Sequence, residues 1–253
     1  MNEIRKSARF GASAALALRY RDEDGERIVW PALIGGETLV DCGYPGQLEA
    51  LERAAAEAGS PLAGLKAVVC THHDYDHVGA LAALKRSYPA VRVYASEDDA
   101  IRIEGRAKSR RLEQAEALEP TLPPDMKDWS RGVKARLAGV EAAAVDARLV
   151  DGLPLGPAGA RAFATPGHMP GHFSVYVEDD GLLIAGDALV VTDGRLALAN
   201  PRFTLDMPRA LESTWRIAAL RPKAALCYHG GLWLGDVADA LGSLLREAGG
   251  AVS

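Results

Sequence analysis

The sequence of 253 residues contains little cysteine. Its three cysteines, Cys42, Cys70 and Cys227, are odd in number and lie far apart. This argues against a framework of paired disulfides and fits a reducing compartment. Each follows an apolar run and precedes a loop, which favours a small buried side chain at a strand end; a thiol beside a metal is the alternative.

Long apolar runs and excess positive charge are also missing. No segment approaches the roughly 18 apolar residues of a membrane helix. The formal net charge is −5, which argues against a broad nucleic-acid surface. The N-terminal stretch MNEIRKSARFGASAALALRY carries only a weak targeting pattern, and the alternation after Arg19 favours a strand. We therefore expect a cytoplasmic protein with no membrane or nucleic-acid partner.

The order of strand and helix patterns predicts an α/β layered fold. Short apolar runs such as LKAVVC and VRVYAS are typical of strands, whereas QLEALERAAAEAG and VGALAALKRSYP have helical spacing. We predict one domain over residues 1–253. Within it, residues from about 97 to 145 are charged and helical, and we predict that they form an insertion, the helical cap.

The predicted helical cap carries a cluster of basic residues, namely Arg102, Arg106, Lys108, Arg110 and Arg111. A solvated helix face explains the cluster most simply. The alternative is a lid that attracts an anionic substrate. Met126 and Trp129 would give the cap apolar contacts with a substrate beneath it.

The strongest functional signal is the placement of the six histidines. They fall in three short sites, and each site follows an apolar strand and opens a Gly-rich loop. The sites contain His72, His73 and His77; His168 and His172; and His229. A fourth loop of this type, LLIAGDALV, carries Asp187. Imidazole and carboxylate together suit zinc or iron, so the loops predict a metal site, and one short segment from residue 72 to 77 can serve two ions.

Five segments resemble signatures of the metallo-β-lactamase superfamily and follow one another in that family's order. They are LVDCGYPG, THHDYDHVGA, ATPGHMPGH, LLIAGD and YHGG, between residues 37 and 231. The resemblance implies a four-layer αββα sandwich with the site at one edge of its sheets. It also implies two divalent metal ions, zinc in the first place and manganese or iron as alternatives.

The resemblance, carried over position by position, assigns seven metal ligands. The first metal would have the ligands His72, Asp74 and His168. The second metal would have the ligands Asp76, His77 and His229. Asp187 would bridge the two ions, and Asp41 would orient one of the ligands from behind.

Other residues near these motifs receive less direct roles. His73 fills a variable position and is expected to point away, and His172 is expected to be a structural hydrogen-bonding residue. Asp76 could also shuttle a proton. Tyr75 and Tyr228 flank ligands and could donate to an oxyanion, with packing of the aromatic ring as the alternative. We take Asp76 and Tyr228 as the candidate catalytic residues.

The segment departs from the family pattern at Asp74, where a second histidine is usual. The change adds a negative charge and a harder oxygen donor to the site. We hypothesise a looser preference for zinc, with manganese or iron tolerated at the first metal. The charge would also weaken Lewis acidity and raise the pKa of the bound water.

The predicted activity is hydrolysis of a small-molecule lactone, ester or thioester by a hydroxide that bridges the two metals. One alternative is a single-iron dioxygenase of the persulfide-oxidising type, using His72, Asp74 and His168. Hydrolysis of a β-lactam amide and a non-catalytic sensor that retains the fold are the others. The oligomeric state stays open, with a homodimer as one option.

Overall fold

The computed structural model describes residues 7–22 and 25–250, and for residues 247–250 it describes the backbone only. The first six residues, where the weak targeting pattern begins, lie outside this part. Within the described ranges, no helix is both long enough and apolar enough to cross a membrane.

Short strands and helices alternate along the chain. The first part contains β1 (Ala8–Phe10), β2 (Ser13–Ala15), β3 (Leu18–Asp22), β4 (Gly25–Val29), β5 (Ala32–Ile34), β6 (Thr38–Val40), α1 (Leu48–Glu57), β7 (Ala67–Val69), α2 (Tyr75–Val78), α3 (Leu81–Ser87) and β8 (Arg92–Ala95). The segment predicted as the helical cap follows, with α4 (Glu97–Ile103), α5 (Arg110–Leu118) and α6 (Lys127–Ala138). The last part contains β9 (Ala147–Arg148), β10 (Ala160–Ala164), β11 (Phe173–Val177), β12 (Leu182–Gly186), β13 (Leu189–Thr192), β14 (Arg195–Leu198), α7 (Met207–Ala219), β15 (Ala224–Cys227), β16 (Gly231–Leu234) and α8 (Val237–Gly250).

The strands form two main sheets and two separate hairpins. A seven-stranded sheet has the order β1-β2-β5-β6-β7-β8-β9, and a five-stranded sheet has the order β10-β11-β12-β15-β16; β3 pairs with β4 and β13 with β14. Strands β6, β7 and β8 are parallel because helices connect them. Strands β12 and β15 are also parallel. Because these neighbouring strands are parallel, the loops at their carboxyl ends lie at the same edge of each sheet.

Apolar side chains define four layers. Val69 and Ile184 belong to the core between the two sheets. Leu51 of α1 packs in a second core on the outer side of the first sheet. Ile217 of α7 and Leu241 of α8 pack in a third core on the outer side of the second sheet. The predicted αββα sandwich is confirmed.

The helix predicted from Val78 begins three residues earlier and is divided into α2 and α3 at Gly79. A Cβ atom at Gly79 would lie 2.2 Å from the backbone nitrogen of Pro45, so only glycine fits there. The early start places Asp76 and His77 in the first turn of α2.

The sequence patterns miss β14 and β16. Strand β14 pairs with β13 across Asp193 and Gly194, whose φ values are 52° and 75°. This is the left-handed geometry of a two-residue hairpin turn, for which Asp-Gly is a favoured dipeptide. The last helix, α8, continues through Gly250.

Candidate metal centre

Four of the seven predicted ligands come from the loop after β7. His72, Asp74, Asp76 and His77 are all buried. Asp74 has an extended backbone and precedes α2, so the chain turns into a helix between Asp74 and Asp76. Because of this turn, the side chains of His72 and Asp74 point into one space, and those of Asp76 and His77 point into a neighbouring space.

The other three predicted ligands come from loops of the second sheet. His168 lies between β10 and β11, Asp187 directly follows β12, and His229 follows β15. His168 and Asp187 are buried. The side chain of His229 is 37% exposed, the largest value among the seven. Solvent therefore reaches the centre on the side of His229.

We define the first cradle as His72, Asp74, His168 and Asp187. Oδ2 of Asp74 lies 3.4 Å from Nε2 of His72 and 3.4 Å from Nε2 of His168. Oδ2 of Asp187 lies 3.5 Å from Nε2 of His168. Two ligand atoms of a tetrahedral zinc ion with bonds of about 2.1 Å are roughly 3.4 Å apart. The spacing of the first cradle therefore matches one such ion.

We define the second cradle as Asp76, His77, His229 and Asp187. Oδ2 of Asp76 lies 3.3 Å from Nε2 of His229, and Oδ1 of Asp187 lies 3.4 Å from Nε2 of His77. Oδ2 of Asp187 is 3.5 Å from Nε2 of His229. Asp187 thus belongs to both cradles, which is the arrangement that the bridging prediction requires.

Several atoms in the cradles are buried without a hydrogen-bond partner among the described residues. They include Nε2 of His72, Nε2 of His77, Oδ1 of Asp74 and Oδ1 of Asp187. A buried polar atom without a partner costs about 1–3 kcal/mol. Divalent cations bind imidazole nitrogens and carboxylate oxygens, and would give these atoms a partner. The residues present therefore fit two metal ions.

Asp74 and Asp187 are held in their ionised forms. Burial opposes ionisation, but the neighbouring His168 and His72 and the charge of Arg111 hold the pKa of Asp74 well below its usual range. The charges of His229 and His77 outweigh burial in the same way and lower the pKa of Asp187. Carboxylates bind cations in this ionised form.

Asp41 supports the second cradle from behind, as predicted from the resemblance. It follows β6, and its left-handed φ of 59° turns the carboxylate toward the β7 loop. Its Oδ1 accepts a hydrogen bond from the backbone N–H of Thr71 at 2.8 Å, and its Oδ2 lies 2.8 Å from Nδ1 of His77. A partner at Nδ1 orients the ring and directs Nε2 into the cradle.

His172 supports Asp187 and contributes no atom to either cradle. Nε2 of His172 accepts the backbone N–H of Asp187 at 3.0 Å, and Nδ1 lies 2.8 Å from Oγ1 of Thr165. A Cβ atom at Gly186 would lie 2.7 Å from this Nε2, so glycine permits the contact. Burial lowers the pKa of His172 to about 3, which keeps the ring neutral.

His73 points away from both cradles and fastens the cap instead. Its Nδ1 is hydrogen-bonded to Oδ1 of the buried Asp99, and its Nε2 accepts the backbone N–H of Arg110 at 3.1 Å. His73, Asp98 and Asp99 lie close enough to suggest another metal group. However, both ring nitrogens of His73 are already engaged, and Asp98 pairs with Arg110 at 2.7 Å.

The hydroxyl of Tyr228 does not face the cradles. It donates to the backbone carbonyl of Asp76, and the ring stacks on His77 with 3.8 Å between centroids. The side chain is almost fully buried. This placement argues against the predicted oxyanion donor, and it makes Tyr228 a residue that positions Asp76 and His77.

A cavity of about 260 Å³ lies between the β7 loop and the helical cap. Apolar residues such as Val78 and Leu112 line it, together with Asp74 and Arg111 of the centre. The expected apolar contacts are wrong: neither Met126 nor Trp129 lines this cavity, and both side chains are exposed. They follow the turn after α5 and face solvent.

The sequence patterns missed one residue at the centre, Arg111. It belongs to the cluster of five basic residues in the predicted cap. Among these five described residues, Arg111 is the one whose side chain reaches the first cradle. Nε donates to Oδ2 of Asp74 at 2.9 Å, and Nη2 lies 3.0 Å from Nε2 of His168. No feature of the sequence separates Arg111 from Arg110, which pairs with Asp98 instead.

Comparisons with known proteins identify the family. A model of the metallo-beta-lactamase superfamily matches residues 25–231. Probable metallo-hydrolase YflN of Bacillus subtilis (strain 168) is 29% identical over 212 residues, which are 76% of this chain and 74% of that protein. A hydroxyacylglutathione hydrolase of Thermosynechococcus vestitus is 31% identical over 173 residues, which are 68% of this chain and 52% of that protein.

A solved structure shares the fold. A metallo-beta-lactamase family protein from Thermus thermophilus has a TM-score of 0.68 and 25% identity, covering 96% of this chain and 81% of that chain. Because the family model matches more than half of the sequence, the chain belongs to the metallo-beta-lactamase superfamily. The predicted family is confirmed, and so is the general class of metallo-hydrolase.

Proposed function

We propose that the protein is a binuclear metallo-hydrolase that acts on a small carbonyl substrate, namely a lactone, an ester or a thioester. The observation that carries the proposal is the sharing of Asp187 between two complete cradles, with His168 and His229 each 3.5 Å from its Oδ2. Zinc is the proposed metal, because two imidazoles and carboxylate oxygens at these spacings suit it.

Two divalent ions at this centre would supply a Lewis acid for the carbonyl oxygen and a nucleophilic water at neutral pH. The protein's own side chains guide the substrate and accept the proton. His229 is the most exposed of the seven, so the substrate approaches past it. Asp76, whose carboxylate lies 3.3 Å from Nε2 of His229, accepts the proton of the attacking water.

Thioesters are the first substrates to examine. The relative from Thermosynechococcus vestitus is named a hydroxyacylglutathione hydrolase, although this chain covers only 52% of it. The cavity of about 260 Å³ beside Asp74 offers apolar walls to an acyl group. A single-iron dioxygenase would use only the first cradle and would leave Asp76, His77 and His229 without a role, so it is less well supported.

The test is a substrate panel with defined metals. Protein loaded with zinc, manganese or iron is assayed with an S-acyl glutathione thioester, a γ-lactone, an aryl ester and nitrocefin, and its metal content is measured. We expect two ions per chain and turnover of at least one carbonyl substrate. Asp187→Asn should lower that activity by at least about a hundredfold, whereas the exposed Asp193→Asn should not.

One iron per chain together with oxygen consumption would replace this proposal with the dioxygenase. A chain that binds two ions and turns over none of the four classes would favour the non-catalytic sensor. The absence of nucleic-acid and membrane partners, the cytoplasmic location and the oligomeric state stay predictions.

A further inference from the structure

Arg111 joins the helical cap to two residues of the first cradle and to the backbone of Phe203. From the first turn of α5, its guanidinium reaches Oδ2 of Asp74 at 2.9 Å and Nε2 of His168 at 3.0 Å. Nη2 also donates to the backbone carbonyl of Phe203 at 2.6 Å. The side chain is only 12% exposed. Such a buried, forked arginine has little freedom to leave its acceptors.

Two of the atoms that Arg111 contacts, Oδ2 of Asp74 and Nε2 of His168, are atoms that would hold the first cation. Nε2 of His168 has a single lone pair, so it can serve the guanidinium or a cation, but not both. Oδ2 of Asp74, which accepts from Arg111, lies 3.4 Å from Nε2 of His72 and is the oxygen turned into the cradle. Arg111 therefore competes directly with a cation in the first cradle.

Arg111 also offsets the unusual charge of Asp74. The chain departs from its family's pattern at this position, where a neutral histidine is usual. An aspartate adds one negative charge, and the guanidinium adds one positive charge 2.9 Å away. The pair as a whole is neutral, so the first cradle keeps the ligand charge that a histidine would give it.

We propose that Arg111 is a positioning residue that sets the cation affinity of the first cradle and couples it to docking of the helical cap. This inference rests on the binuclear site of the proposed function. Arg111 weakens binding of the first cation by occupying Asp74 and His168 and by its like charge. If His168 held a cation at Nε2, Nη2 of Arg111 would give up that contact and keep the carbonyl of Phe203 as its acceptor.

The test compares cation affinities by competition with a chromophoric zinc chelator. Arg111→Gln removes the charge, Arg111→Lys keeps it, and Arg110→Gln is the matched control on the adjacent position. We expect the weaker of the two zinc sites to bind on the order of tenfold more tightly in Arg111→Gln, since a unit charge near a divalent ion acts even in high dielectric. Arg111→Lys and Arg110→Gln should remain close to the unaltered protein.

If Arg111 only stabilised the cap, Arg111→Gln would weaken zinc binding, because a loosened cap would disorder the ligands. Unchanged or weaker zinc binding in a folded Arg111→Gln protein would therefore overturn the inference. If that variant does not fold, Arg111→Met, which keeps the apolar stem, takes its place. In an Asp74→Asn background the gain should be smaller, because only the contact with His168 and the like charge of Arg111 remain to be removed. If neither the unaltered protein nor Arg111→Gln binds a second zinc ion, it is the binuclear proposal itself that fails.

Discussion

Oδ2 of Asp41 lies 2.8 Å from Nδ1 of His77, although the two residues are 36 positions apart. The contact links the end of β6 with the first turn of α2. It leaves Nε2 of His77 directed at Asp187, 3.4 Å away. The orientation of one predicted metal ligand thus depends on a residue that contacts no cation itself.

We expect Asp41→Asn to lower the affinity of the second cradle about 10- to 100-fold, the usual effect of losing a partner behind a ligating histidine. Chelator competition would measure it. Asp193→Asn is the matched control, since Asp193 also has a left-handed backbone, with φ of 52°, but its side chain is exposed and it belongs to neither cradle. Equal affinities in the two variants would contradict the role of Asp41.

His172→Ala should destabilise the protein without removing a cation. The backbone N–H of Asp187 would lose its acceptor, and a buried unsatisfied donor costs about 1–3 kcal/mol. Urea unfolding in the presence of a chelator separates this effect from metal loss. His168→Ala, the control, should show the reverse: little destabilisation in chelator and a lower zinc content. A zinc content as low in the His172 variant as in the His168 variant would contradict the purely supporting role of His172.

His73→Ala should loosen the cap while the metal content stays the same. The ring holds Asp99 on one side and the first backbone N–H of α5 on the other. Amide hydrogen exchange over residues 106–118 should accelerate in this variant. In His72→Ala, exchange there should change less, and the zinc content should fall. Zinc loss in both variants would show that His73 takes part in binding.

Removal of metal by a chelator should lower the thermal stability. A cation at a thousand times its dissociation constant stabilises the folded state by about 4 kcal/mol. Scanning calorimetry with zinc, manganese or iron restored in turn would also test the hypothesis on Asp74, which expects manganese or iron to be accepted. Two tightly held zinc ions, whichever metal is supplied, would refute that tolerance.

Much of the centre was predictable because its residues belong to short local patterns. His72, Asp187 and His229 each end an apolar run and begin a loop, and a strand end is visible in a few residues of sequence. The direction in which an individual side chain points cannot be seen in a few residues of sequence. The hydroxyl of Tyr228 turns toward a backbone carbonyl rather than the cradles, and Trp129 faces solvent rather than the cavity.

The sequence alone determined which donor types this protein presents and at which strand ends, because strand periodicity and loop residues are local properties of the chain. Only the tertiary structure decided that Asp187 serves both cradles and that Arg111, rather than Arg110, reaches Asp74. Those relationships join loops from two sheets and the cap. Their distances follow from how the layers pack, since residues remote in sequence meet only when their apolar faces are buried together.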